Sequence, residues 1–330
     1  MKAEKIQYNA IDIFKFICAI LICTIHVSPF PNNVPEFGRI NFYIVNCISR
    51  IAVPFYFTAA GFFLFKKMPL DKIDTKVIKE YCFKLLRLIG TWWVLLFIGP
   101  KGQMWYLGAS IIAIILITFL LEKKVKLKYI IIIAILLYII GLLGDTYYQI
   151  IRIAKSNHIL NNIITNYETY FQTTKNGLFF GTIFVLMGVI IAHKNIKMDF
   201  KWAYIGTFLS YVLLMIETSL LAKYFNPKDY NMYISIVPLV FFIFHLLLNV
   251  KLKDHMVYKK LRIISILIFF THRMFIYLSN NLISTIYIKY KVNLTNYHFL
   301  ITLFITILFS ILIEELSQTK KLKILKYLYS

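Results

Sequence analysis

Residues 10–29 decide the fold class, and they read Ala10-Ile-Asp-Ile-Phe-Lys-Phe-Ile-Cys-Ala-Ile-Leu-Ile-Cys-Thr-Ile-His-Val-Ser-Pro29. Asp12, Lys15 and His26 interrupt a stretch that is otherwise apolar enough to span a membrane as a helix. Ionisable groups at membrane depth cost roughly 3 kcal/mol each on insertion scales, so they usually face a protein interior and mark a functional path. Lys15 and His26 are eleven residues apart, which places them on one helix face about 16 Å apart along the axis. This segment therefore predicts one wall of a polar pocket inside a membrane protein.

The composition of the 330-residue chain also places it in the membrane class. It is 59% hydrophobic with a mean hydropathy of +0.70, which is too apolar for a soluble domain. The net charge is +22, but basic residues collect in the cytoplasmic loops of membrane proteins, so we expect no nucleic-acid partner. The cysteines lie in or beside apolar segments without Cys-x-x-Cys spacing, which predicts core residues and no metal site; they are Cys18, Cys23, Cys47 and Cys82.

The apolar segments predict an all-α, polytopic membrane protein with about ten transmembrane helices. Placing the N-terminus in the cytoplasm puts 25 of the 37 lysines and arginines in inner loops and termini and nine in outer loops, so both termini are predicted to be cytoplasmic. We expect a single transmembrane domain over 1–316, a retained first segment, a short basic tail over 317–330, and no further soluble domain. The predicted spans are 11–30, 42–65, 83–99, 103–121, 129–144, 177–193, 202–222, 231–250, 261–280 and 298–316.

Two connections between these spans are distinctive. The break at Gly99-Pro-Lys-Gly102 predicts a turn. The longest outer loop, 145–176, mixes apolar and polar positions. It is open at this point to three interpretations: an interfacial helix, a lid over an outward-facing pocket, or an ordered outer loop.

Several polar side chains are predicted to lie in the outer half of the membrane, where they can converge on one pocket. His26 precedes Ser28-Pro29, where its helix should end, and a histidine facing a wet cavity can accept or release a proton near neutral pH. Structural roles are open for the other polar residues at this level. Arg50 and Glu217 could form an ion pair, His272 could be a hydrogen-bonded core residue, and Trp105 and Tyr106 could belong to an aromatic belt. The outer set is His26, Arg50, Glu217, His272 and Arg273, with Trp105 and Tyr106 at the same level.

The inner half carries two further candidate sets. Asp12 and Lys15, three residues apart, either form a local ion pair or line a path for a substrate. Lys84 and Arg87 share a helix face and either hold the phosphates of an anionic cofactor or provide ordinary cytoplasmic positive charge.

At these positions the chain resembles the acyltransferase-3 family of integral membrane proteins. The resemblance is based on Ile11-Asp-Ile-Phe-Lys-Phe16 with Ile25-His26, Arg50-Ile-Ala-Val-Pro-Phe-Tyr-Phe57 with Gly61-Phe-Phe63, Trp105-Tyr-Leu107, and Thr271-His272. Within the family it is most similar to the membrane domain of vancomycin-resistance serine/alanine racemases. That likeness includes Ile140-Gly-Leu-Leu-Gly-Asp145, Lys175-Asn-Gly-Leu-Phe-Phe180, Met187-Gly188, Ile216-Glu217-Thr-Ser219, and Pro227-Lys-Asp229 with Met232-Tyr233. The racemase domain itself is not expected here, so racemase activity is not implied.

The resemblance implies a reaction in a bacterial cytoplasmic membrane. Family members move an acyl group, often acetyl, from cytoplasmic acyl-CoA to a hydroxyl or amine acceptor outside, commonly a glycan. His26 would be the catalytic base, Asp12, Lys15, Lys84 and Arg87 would line the donor path, and membrane lipid would be the surrounding partner. Acceptor binding is assigned to Arg50, Trp105, Tyr106, Glu217, His272 and Arg273. The family has an arginine where this chain has Lys15, which keeps the charge but loses the bidentate fork.

A second hypothesis also follows from the resemblance. The racemase-like membrane domain is thought to supply L-serine, so this chain would bind or take up a small amino acid. A racemase on a separate chain would then be its partner in peptidoglycan precursor modification or vancomycin resistance. Arg50 or Arg273 would bind the carboxylate, and Glu217 the ammonium.

Overall fold

The computed structural model describes residues 8–31, 35–96, 102–155, 158–194, 196 and 198–330. All regular structure within these ranges is helical, so the predicted all-α class is confirmed. Short 3-10 or π-helical turns lie at Ile48–Ile51, Gly102–Met104, Gly177–Gly181, Thr295–Tyr297 and Lys320–Leu328. The α-helices are α1 (Asn9–His26), α2 (Pro35–Asn46), α3 (Ala52–Phe65), α4 (Thr75–Leu95), α5 (Trp105–Glu122), α6 (Leu127–Leu143), α7 (Tyr148–Ala154), α8 (His158–Tyr170), α9 (Thr182–His193), α10 (Phe200–Tyr224), α11 (Ile236–Asn249), α12 (Met256–Tyr290) and α13 (His298–Gln318).

Six helical stretches in the described residues are long and apolar enough to cross a membrane: Asn9–His26, Pro35–Phe65, Gly102–Glu122, Phe200–Tyr224, Met256–Tyr290 and Thr295–Gln318. A seventh results if α6 and α7, which meet at a 75° bend, form one span. The chain is therefore a multi-pass helical protein, while the count of ten and the cytoplasmic termini stay predictions.

Apart from the bent pair, three predicted spans have no helix within the described residues that is long and apolar enough to cross a membrane on its own. α4 begins at Thr75, well before the predicted start at 83, and this early part carries Lys76, Lys79 and Glu80. The helical stretches Gly177–His193 and Ile236–Asn249 are shorter than 18 residues, so their length alone does not make them spans. The end of the predicted span at 97–99 and most of the Gly99–Gly102 turn lie outside the described residues.

One compact unit comprises Met1–Ala52, Arg87–Met104 and Ile243–Ser330. Its centre is the packing of α1 against α12 and α13. Ala19 and Cys23 of α1 meet Ile264 and Ile268 of α12, and side chains from α13 complete the cluster. These small and branched residues let the helices approach closely, which fixes the depth of the polar groups on α1 relative to those on α12.

The second unit comprises Val53–Leu86 and Trp105–Phe242. In it, α3 and α9 approach closely at two glycines. A Cβ on Gly61 would overlap the carbonyl oxygen of Val185, and a Cβ on Gly188 would overlap that of Thr58. The sequence Ala60-Gly61 is therefore a helix contact, because glycine alone leaves room for the facing backbone.

The outer loop 145–176 contains two short helices, α7 and α8. Lys155, which follows α7, forms an ion pair of 2.5 Å with Glu168 on α8, and Tyr148 donates a 2.7 Å hydrogen bond to the same carboxylate. The mixed apolar and polar pattern thus corresponds to an ordered helical pair. The prediction that the four cysteines are core residues is also confirmed, because all four are buried free thiols.

Candidate functional site

His26 is the last residue of α1, and its exposed imidazole stacks on the buried imidazole of His272 from α12. The ring centroids are 5.3 Å apart and the planes differ by 22°. The Nδ1 atom of His272 lies 3.1 Å from the carbonyl oxygen of Ile268 one turn earlier. The structure therefore brings together two of the predicted outer residues.

Asp12 bridges two cations at the other end of α1. Its carboxylate lies 3.9 Å from Nζ of Lys15 and 3.5 Å from Nη1 of Arg262 on α12. The local ion pair is therefore present, and the sequence analysis missed its third member. Arg262 stands at the start of the predicted span 261–280, which puts it at the same level as Asp12. The donor-path role of Asp12 and Lys15 stays a prediction.

Arg50 lies in the 3-10 turn that follows α2. Its guanidinium donates to the carbonyl oxygen of Val45 at 3.1 Å and to the side chain of Asn46 at 3.1 Å. The preceding residue, Ser49, hydrogen-bonds the hydroxyl of Thr24 on α1. The last residues of α2 thus hold the Arg50 guanidinium, and the turn that carries Arg50 is hydrogen-bonded to α1 two residues before His26.

Arg273 points to a different side of α12 from its neighbour His272. Consecutive helical residues leave the axis about 100° apart, so the two side chains diverge. The Arg273 guanidinium packs on the backbone of Gly102, where a Cβ would overlap Nη1. Beside it, the buried Gln103 donates to the carbonyl oxygen of Phe270 at 2.9 Å, and its Oε1 atom has no hydrogen-bond partner in the described part of the chain.

Gln103 is a candidate polar residue that sequence reasoning did not single out. An uncharged amide at the start of an apolar segment barely changes its hydropathy, so the side chain gave no signal comparable to a buried charge. Its carboxamide and the nearby stack of Trp92 on Phe270, with centroids 5.0 Å apart, line the α12 face that Arg273 shares.

Glu217 in the second unit holds an irregular segment that leads into α11. Its carboxylate accepts hydrogen bonds from the Tyr147 hydroxyl at 2.8 Å, from the backbone N–H groups of Ile234 and Ser235 at 2.7 and 2.8 Å, and from the Ser235 hydroxyl. Asp145 acts in parallel on the backbone of Asn231 and Met232. Both carboxylates therefore accept hydrogen bonds from backbone N–H groups that lie outside the helices, which favours a structural role for Glu217 and Asp145. The predicted role of Glu217 in acceptor binding stays a prediction.

Trp105 and Tyr106 begin α5, as expected, and join an aromatic cluster. Both rings contact Phe57 of α3, with centroids 6.4 and 4.7 Å away, and Trp105 also lies near Phe180. Nζ of Lys175 lies 5.3 Å from the Trp105 centroid. This packing explains why the two residues are ordered, while a role in acceptor binding stays a prediction.

The predicted donor-phosphate residues lie on α4. Lys84 is exposed. Arg87 is also exposed but contacts the tail segment, residues 319–330: its Nη2 donates to the backbone oxygen of Ser330 at 2.5 Å, and its guanidinium lies 5.4 Å from the Tyr327 centroid. The tail is fastened nearby, where Trp92 Nε1 donates to the carbonyl oxygen of Leu328 at 2.9 Å. The predicted basic tail therefore folds back onto α4.

Residues 8–101 match the model of the acyltransferase-3 family, described as "Acyltransferase domain". The predicted resemblance to this family is confirmed. The matched residues include His26, Lys15, Arg50 and Arg87. They exclude α12, so the position of His272 beside His26 is an observation of the structure alone.

Curated relatives are similar over most of this chain. They include an "Amino-acid racemase" of Enterococcus faecalis, 32% identical over 265 residues, another of the same description and organism at 26%, and a "Serine/alanine racemase" of Enterococcus gallinarum at 28%. Each match covers 73–74% of this chain but only 36–38% of the relative. The chain thus spans little more than a third of the length of these relatives. No solved structure matches.

Proposed function

We propose that this chain is a membrane acyltransferase that moves an acyl group, in the simplest case acetyl, from cytoplasmic acyl-CoA to a hydroxyl or amine acceptor such as a cell-surface glycan. The observation that supports it best is the exposed His26 imidazole at the end of α1, held against His272 within a chain that matches an acyltransferase family. The proposed setting is a bacterial cytoplasmic membrane, with both termini inside.

In the proposed reaction, His26 takes the proton of the acceptor hydroxyl while the hydroxyl oxygen attacks the thioester carbonyl of acyl-CoA. The tetrahedral intermediate then breaks its carbon–sulfur bond, and the CoA thiolate receives the proton from His26. The products are the acylated acceptor and free CoA. General base help of this kind is typically worth 10²–10⁴-fold. Lys84 and Arg87 would bind the CoA phosphates, and Lys15 would line the path between them and His26.

The direct test is acyl transfer from radiolabelled acetyl-CoA to a panel of saccharide acceptors, with the full chain in nanodiscs. We expect His26→Ala to lose at least about 100-fold in rate. The matched control is His255→Gln, which changes an exposed histidine that caps α12 and should leave the rate within about twofold. A folded His26→Ala protein that transfers acetyl at the wild-type rate would rule out this mechanism.

The donor side is tested by binding alone. Acetyl-CoA should raise the melting temperature of the wild-type protein, and the Lys84→Ala/Arg87→Ala variant should lose that rise. The control is Lys289→Ala/Lys291→Ala, which removes the same charge at the far end of α12. An equal rise in all three proteins would show that Lys84 and Arg87 take no part in CoA binding.

The names of the relatives support a second candidate, the binding or uptake of a small amino acid such as serine, with a separate racemase as partner. Arg50 or Arg273 would then bind the carboxylate. Glu217 supports this function less than the sequence implied, because both of its oxygens already accept hydrogen bonds. L-Serine added beside acetyl-CoA in the same thermal assay discriminates the two: stabilisation by serine alone, lost in Arg50→Ala or Arg273→Ala, would favour the amino-acid binder.

A further inference from the structure

The side chain of His26 lies at the very end of its helix. α1 ends at this residue, and Val27 that follows is extended. More than a third of the residue is exposed. A base that must reach a proton within hydrogen-bond distance needs a fixed ring, because a misplacement of about 1 Å can lower a rate 100-fold. Some neighbouring group therefore has to fix this ring in the proposed reaction.

His272 is itself rigidly held. Its side chain is completely buried, and its Nδ1 atom hydrogen-bonds the Ile268 carbonyl oxygen at 3.1 Å. Because a carbonyl oxygen only accepts, Nδ1 carries the proton and donates it. Phe269 lies against the ring at 6.4 Å between centroids, and Ile268 belongs to the packed cluster between α1 and α12. The ring is thus anchored to a helix that packs along the whole of α1.

The exposed ring of His26 lies nearly parallel to this anchored ring. The 22° angle and 5.3 Å separation describe a stacked contact, for which the relevant surface is the ring face and not the ring nitrogens. The contact needs an aromatic residue at 272. The residue at 272 does not need to form a hydrogen bond to His26. The Nε2 atom of His272 has no hydrogen-bond partner among the described residues, and it takes no part in the stack.

We infer that His272 is a positioning residue, whose ring face holds the His26 imidazole in the orientation that the reaction needs. This role rests on the proposed function, and it replaces direct binding of the acceptor by His272. It makes a specific demand on chemistry at position 272: an aromatic ring without nitrogens should suffice, whereas a polar side chain without a ring should not.

Three variants separate the ring from its nitrogens. His272→Phe keeps a ring of similar size, His272→Asn keeps a polar side chain without a ring, and His272→Ala keeps neither. We expect the Phe variant to retain kcat within about threefold of wild type. The Asn and Ala variants should lose 10- to 100-fold in kcat, with KM for acyl-CoA and for the acceptor within about twofold, because substrate binding is untouched and only the base is misplaced.

Melting temperatures of the purified variants identify any that fail to fold, and an independent reading comes from proton NMR of isotope-labelled histidine. A stacked ring shifts the His26 ring signals, so these signals should keep their wild-type position in the Phe variant and move in the Ala variant. A Phe variant as inactive as the Ala variant, or an Asn variant as active as wild type, would overturn the inference. An inactive wild-type protein would overturn the proposed function and this role with it, whereas an active wild type with an inactive, folded Phe variant overturns this role alone.

Discussion

At the scale of single residues, the ionisable groups in apolar segments were the signals that sequence reasoning could use. Asp12, Lys15, His26 and His272 were all identified because charge or imidazole is rare at membrane depth. The local pair of Asp12 with Lys15 was predicted as well, but the second partner, Arg262, was not, because that contact joins helices far apart in sequence. Only packing decides which turns of α1 and α12 face each other.

The Asp12 bridge gives a prediction for stability. Asp12→Asn would leave Lys15 and Arg262 as neighbouring cations without their shared counter-charge. We expect the free energy of unfolding to fall by about 2 kcal/mol, less than for a fully buried pair because half of the Arg262 side chain is exposed. Denaturant unfolding in detergent measures it. Glu315→Gln, which breaks an exposed pair with Lys260, should leave the unfolding midpoint almost unchanged, and equal effects of the two substitutions would contradict the interpretation.

At the scale of elements, the sequence predicted most helices but not how they end or cross. Periodic apolar runs identify a helix, but they do not show where it starts or bends. α4 begins early because the Asp74 side chain accepts hydrogen bonds from the backbone N–H groups of Lys76 and Val77, and hydropathy does not show the bend between α6 and α7. The α3–α9 crossing is a tertiary contact, and Gly61 enters the sequence analysis only as part of the motif Gly61-Phe-Phe63, without a packing role.

Gly61→Ala should therefore destabilise the α3–α9 contact. The added methyl group meets backbone of Val185, which cannot move aside as a flexible side chain would. We expect a loss of about 1–3 kcal/mol in unfolding free energy. Gly108→Ala in α5 is the matched control, since no atom lies within 4 Å of its Cβ and alanine favours helix by up to about 1 kcal/mol. A Gly61→Ala protein as stable as this control would show that the helices separate easily.

The α7–α8 pair predicts a pH dependence. Burial alone would raise the pKa of Glu168, but hydrogen bonds from Lys155 and Tyr148 outweigh it and hold that pKa below the usual 4.5. The stabilisation is therefore present above pH 4.5 and is lost as the pH falls through the lowered pKa. The hydrogen bond to Glu168 raises the pKa of Lys155 above 10.5. The contribution of Lys155 to stability is therefore lost only as the pH rises through this raised pKa. Amide exchange in α7, corrected for intrinsic rates, should be several-fold faster below pH 4.5. Glu168→Gln should remove this pH dependence, and an unchanged acid response would refute the assignment.

At the scale of the whole molecule, composition was enough to predict a multi-pass helical membrane protein, and the loop charges predict its orientation. The number of spans was harder, because hydropathy counts apolar residues and does not say whether a 14-residue helix such as α11 crosses the membrane. Orientation likewise follows from an average bias and not from any one contact.

Thiol labelling tests that orientation. The four native cysteines are buried, so an introduced cysteine gives the main signal. Thr173→Cys, in the predicted outer loop, should react with an impermeant maleimide in intact cells. Lys126→Cys, on the predicted inner side, should react only after permeabilisation. Both positions are exposed, so the reverse pattern would place the termini outside.

The tail segment competes with any external ligand for the side chain of Arg87 on α4. The Ser330 carbonyl and the Tyr327 ring occupy the Arg87 guanidinium and are tethered to it by the chain, so they act at the high effective concentration of an intramolecular group. An anionic ligand that needs the same Nη2 donor binds only the fraction of molecules in which the tail has released it, and its apparent affinity is lower by that fraction. If the tail is docked nine-tenths of the time, the reduction is about tenfold. Measured affinities at this site thus report two equilibria, and a substitution anywhere along the tail can alter them without touching the ligand.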